Sequence, residues 1–167
     1  MNIVLMEHET DCEVAAIATA CQVSYDKAET ALGWKDLPGN LENPIFGNPI
    51  NLHIALLRLG HWKINRTLDD ILSGRCEPGK TVVLVKKSVT VQHWAVLASS
   101  LNGIVGLYMG KKAYPNYYTK DQIVEMFNNG SNLDNYKGPF KEAFEVYKCG
   151  FLELVWRKIK AIFKKFD

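Results

Sequence analysis

The chain has no run of about twenty apolar residues, so no transmembrane helix is expected in its 167 residues. Its four cysteines, Cys12, Cys21, Cys76 and Cys149, form no C-x-x-C pair. That argues against a zinc ribbon or a dithiol redox motif, and no metal or cofactor is expected. A secretory leader is not expected either, because Glu7, Glu9 and Asp11 interrupt the N-terminal stretch and no basic cluster precedes it. An even number of cysteines permits disulfides, but without a leader free thiols in a reducing cytoplasm are the expectation. Charge of one sign is also scarce. Twenty Lys and Arg stand against 18 Asp and Glu, and the net charge of +2 is too small to argue for nucleic acid. No internal repeat or low-complexity tract occurs.

What is present reads as helices first, then an antiparallel sheet, an α+β domain. Asn2 to Leu5 reads as a short lead-in strand. Asp11 is placed to cap a helix in which Val14, Ile17, Ala18 and Cys21 fall on one face. Ser24 caps a second helix, Asp26 to Leu32. Residues 33–50 hold three of the six prolines and read as a long loop. A third helix starts at Asn51 and ends at Gly60, followed by an alternating stretch from His61 to Asn65. Thr67 caps a short helix through Leu72, and Thr81 to Val85 is β-branched and apolar. Val91 to Ala98 and Ile104 to Met109 flank Asn102-Gly103, a strong hairpin signal. Thr119 and Gln122 form a capping box for a helix over Asp121 to Asn128.

The chemistry-bearing residues are Cys12 and His93. Cys12 lies in Asp11-Cys12-Glu13-Val14-Ala15-Ala16, at a helix start, where unpaired N–H groups and the helix dipole favour a thiolate. His93 lies 81 residues later in His93-Trp94-Ala95-Val96-Leu97, a strand-like stretch. Only tertiary folding can bring such a thiol and imidazole together. This layout, with the Ala-rich helix after Cys12 and a middle helix ending in Leu59-Gly60, resembles the C39-type peptidases. That papain-like family includes the leader-cleaving domains of bacteriocin exporters.

The resemblance runs over residues 1–128. It implies a papain-like fold, with N-terminal helices packed on an antiparallel sheet. It also makes Cys12 the nucleophile and His93 the general base. Three positions depart from the family pattern. Glu13 follows the cysteine where the family has Gly. Met6 stands where the family has an oxyanion-hole Gln, and a thioether donates no hydrogen bond. The stretch from Ile104 to Met109 offers no Asp or Asn to orient the histidine. His8, Thr10 and Tyr108 are the candidates for those supporting roles, and Trp94 is a candidate substrate-binding residue.

Residues 129–150 read as a linker to a basic amphipathic helix at 151–167. There Leu152, Val155, Trp156, Ile159, Ile162, Phe163 and Phe166 recur at helical spacing. Arg157, Lys158, Lys160, Lys164 and Lys165 lie mostly off that stripe. Such a helix suits an anionic membrane surface, a protein partner's groove, or packing on its own domain. The expectation is therefore a cysteine-dependent hydrolase of a peptide or amide bond, cytoplasmic, acting on a peptide or protein substrate. The alternative is a catalytically inactive peptidase-like binding or assembly protein, such as a phage virion component anchored by its C-terminal helix.

Overall fold

A computed structural model of the chain describes residues 1–7, 11–33, 49–86, 92–128 and 143–150, together with 152, 153, 155, 156 and 159. The elements are α1 (Cys12–Cys21), α2 (Tyr25–Leu32), α3 (Pro49–Arg58), β1 (His61–Arg66), α4 (Leu68–Leu72) and β2 (Thr81–Lys86). They continue with β3 (Gln92–Leu101), β4 (Ile104–Tyr108), β5 (Asn116–Thr119), α5 (Lys120–Asn128) and β6 (Ala143–Lys148). All six strands form one antiparallel sheet in the order β1-β6-β2-β3-β4-β5. The α+β expectation holds at this level.

Strand alternation splits the core into two faces. Val82, Leu84, Trp94, Val96, Phe144 and Val146 pack with α1, α2 and α3. Val83, Val85, Ala95, Leu97, Val105, Leu107 and Ala143 pack with Ile71 of α4 and Ile123 of α5. Helix α1 is buried along its whole length rather than on one face. Its small residues let it lie between the sheet and α2. Cys21 is part of that core, and burial pushes its thiol up to about 12.

Local signals form as their chemistry dictates. The Thr67–Asp70 capping box starts α4, and Thr119 and Gln122 exchange backbone-to-side-chain bonds of 2.9 and 3.3 Å at the start of α5. Asn102 and Gly103 turn β3 into β4 with φ of 52° and 76°. A Cβ on Gly103 would meet nothing within 4 Å, so the only obstacle to a side chain there is the positive φ. Gly103→Ala is expected to cost about 1–2 kcal/mol in urea unfolding, from left-handed backbone strain alone.

Two expectations are corrected. Residues 2–5 form no strand. Their N–H groups instead bond to side chains of the first helical segment: Asn2 to Gln22 Oε1 at 3.0 Å and Val4 to Thr19 Oγ1 at 2.9 Å. The stretch expected as a linker, 129–150, carries β6, which fills the sheet between β1 and β2. The sheet therefore does not close at residue 128. The expected loop falls largely on residues 34–48, outside the described residues, as does Asn129 to Lys141.

Candidate functional site

Cys12 is the first residue of α1, and α1 packs on β3. The backbone N–H of Trp94 donates to Cys12 Sγ at 3.4 Å. The fold thus brings the thiol to the backbone of the residue after His93, while the His93 side chain is in step with Ala95 and Leu97 on the other face of β3. Cys12 is only 4% exposed. Its thiol is pushed above the usual range, first by burial and then by the negative charges of Glu13 and Asp11. The Trp94 and Glu13 N–H groups act in the opposite direction. Burial wins, so the resting group at neutral pH is a thiol rather than a thiolate.

His93 is 8% exposed and stands at the start of β3, on the side of Ala95 and Leu97. Its Nε2 lies 2.6 Å from the carbonyl oxygen of Met109. A carbonyl only accepts, so Nε2 carries the proton, and in the neutral ring Nδ1 is the basic nitrogen. Met109 falls within the stretch that lacks a carboxylate or amide side chain. Here the backbone does the orienting, at a position where a side-chain motif search finds nothing.

The other candidates divide. The Trp94 ring is buried and meets Phe144 edge-on at a centroid distance of 5.9 Å, so it is core and contributes its N–H to the site. Tyr108 is half-buried against the α1 face. It lines a cavity of about 10 Å³ with Ala15, Ala16, Thr19 and Trp94. His8 and Thr10 lie outside the described residues. Met6 packs at Gly110, with its N–H bonded to the Gly110 carbonyl at 2.8 Å. Gly110 has φ of 75°, and a Cβ there would come within 2.9 Å of Met6 Cγ. That close approach holds the N-terminal segment beside the end of β4.

Sequence reasoning missed the support beneath Cys12. Asp11 occupies the N-cap position of α1, but its side chain makes no capping bond. Its carboxylate is fully buried and accepts from the Tyr25 hydroxyl and from the Glu7 N–H. Burial and the Asp11 bond both push the Tyr25 phenol up. A second missed network lies on β6. Glu145 is buried and bonds Arg66 Nε at 2.7 Å and the Tyr147 hydroxyl at 2.6 Å. No group of three or more His, Cys, Asp or Glu side chains is arranged to hold a metal ion among the described residues.

No protein-family model matches this chain. No curated protein matches it either.

Proposed function

We propose that the protein is a cysteine-dependent hydrolase of peptide or amide bonds on a papain-like fold. The observation that carries this reading is the contact between Cys12 Sγ and the Trp94 N–H, one residue from an imidazole whose proton position is set by Met109. Because the resting thiol is protonated, His93 acts as a general base rather than as half of a standing ion pair. In the reaction Nδ1 takes the thiol proton as Sγ attacks the carbonyl carbon, which requires the imidazole to swing from the Ala95–Leu97 face of β3 toward Cys12. The tetrahedral oxyanion forms at the start of α1, where the Cys12 N–H can donate to it. The C–N bond breaks, and the amine leaves with the proton from His93. A thioester remains on Cys12. Water then attacks it, His93 takes the water proton, and the acid product leaves as the thiol is restored.

A second reading is a non-catalytic peptidase-like domain that binds a peptide or a protein partner. The burial of Cys12 and its raised thiol favour it, as does Met6, which the C39 resemblance sets in place of the oxyanion-hole Gln. Alkylation of Cys12, followed by mass spectrometry across pH, separates the two. With a raised thiol the labelling rate climbs with pH, by about tenfold per unit below the thiol pKa. For the hydrolase, His93→Ala is expected to slow labelling between pH 6 and 8 by at least about tenfold. Equal rates in wild type and His93→Ala would remove the dyad and leave the binding domain.

A further inference from the structure

Helix α2 turns Tyr25, Ala28, Ala31 and Leu32 toward the core. Helical spacing then leaves Asp26, Lys27 and Thr30 on its outer side, and all three are exposed. Helix α3 packs against α2, and where its last residue, Arg58, meets that outer side the surface opens into a cleft of about 560 Å³. Small-molecule sites have volumes of about 300–1,000 Å³. Val23, Ala31 and Leu59 give the cleft its apolar lining. Ala31 belongs to the core, and Val23 and Leu59 pack against it, so this wall is fixed by the fold.

The polar lining has an anchored part. Arg58 Nη1 donates at 3.2 Å to the carbonyl of Ala31, in the last turn of α2 where helix carbonyls lack intrahelical donors. That bond holds the guanidinium at the cleft. Among the described residues nothing pairs with its other edge, formed by Nε and Nη2. Two parallel N–H donors on one edge match the two oxygens of a carboxylate. Lys27 is a second cation in the lining. Neither cation is in an ion pair among the described residues. Asp26 is the only carboxylate among the described lining residues, so two cations face one anion. The cleft therefore suits a ligand with a single negative charge better than a phosphate, which carries about −1.5 to −2 at neutral pH.

We propose that this cleft binds a small carboxylic acid with an apolar body. The carboxylate takes the Nε–Nη2 edge of Arg58, with Lys27 adding attraction, and the body lies against Val23, Ala31 and Leu59. The site shares no residue with Cys12 or His93 and stands or falls apart from the hydrolase reading. Capping α2 is the other role open to Arg58, and it uses one of five donors. The two roles differ in what they predict for an added ligand.

The test is an amide NMR titration of the full chain with three probes. Phenylacetate carries the charge and the apolar body, phenylacetamide is its neutral twin, and inorganic phosphate is an anion without the body. Saturable shifts are expected with phenylacetate at residues 23–31 and 58–60, and binding at least about tenfold weaker with the other two. Arg58→Lys keeps the charge but loses the fork, and is expected to weaken phenylacetate binding about tenfold. Because that change also touches the Ala31 bond, Lys27→Gln is the second variant. It is expected to weaken binding about threefold and to leave the melting temperature unchanged. Absence of saturable shifts with phenylacetate would overturn the proposal. So would equal binding of acid and amide, or phosphate binding more tightly than phenylacetate. Phenylacetate binding that neither variant alters would place the ligand elsewhere, leave Arg58 as a cap alone, and overturn it as well.

Discussion

Phe144→Ala is expected to destabilise the protein by about 3–5 kcal/mol, the range for deleting a buried aromatic ring. Phe144 lies on β6, is among the largest fully buried side chains, and packs in the cluster under α1. Its ring meets the edge of Trp94, and Lys63 Nζ sits 5.0 Å from its centroid on another side. Against a typical stability of about 5–15 kcal/mol, that loss removes a third or more of the total. The midpoint of urea unfolding measures it. Phe144→Leu keeps most of the volume and is expected to cost less than about 1.5 kcal/mol. The Trp94 ring shares this pocket, and the Trp94 N–H holds Cys12. Labelling of Cys12 is therefore expected to speed up in Phe144→Ala. A change within about 0.5 kcal/mol, the level of a surface substitution, would mean that β6 does not lie between β1 and β2 with Phe144 in the core.

Tyr25→Phe is expected to cost about 1.5–3 kcal/mol, the range for a hydrogen bond to a charged group. The ring stays, so packing is unchanged and the loss reports the hydroxyl. Its partner Asp11 is fully buried and immediately precedes Cys12. Water cannot readily replace the lost donor at such a site. The Asp11 backbone also accepts from the Ala15 N–H at 3.2 Å, so movement of Asp11 loosens the first turn of α1. The expected second readout is a change in Cys12 labelling rate at fixed pH. A purely structural hydroxyl, remote from the thiol, would lower stability and leave that rate alone.

Features set by neighbours in the chain were legible in the sequence. The Thr67 cap, the Thr119–Gln122 capping box and the Asn102-Gly103 turn each span four residues or fewer, and each forms as expected. The placing of Cys12 on a helix start and His93 on a strand also rests on local pattern. Features set across the fold were not legible. Asp11 looked like a cap because its type and position fit one, yet its carboxylate serves Tyr25, 14 residues on. Strand β6 was hidden because Glu145 interrupts its apolar run, and the cation that neutralises it, Arg66, lies 79 residues upstream. Met109 reaches His93 through a backbone oxygen, which no side-chain pattern encodes.

The place of β6 also sets the order in which the molecule can assemble. Its outermost pairing joins His61 to Lys148, across 87 intervening steps of chain. While the polypeptide is being synthesised, β1 and β2 are each finished long before the strand that must enter between them. Closing that long a loop is entropically costly and slow. In the interval both strands present open edges able to pair with another nascent copy. The hazard for this protein thus falls during translation, in the time between the emergence of residue 86 and that of residue 148, and an early-binding chaperone would act within that window.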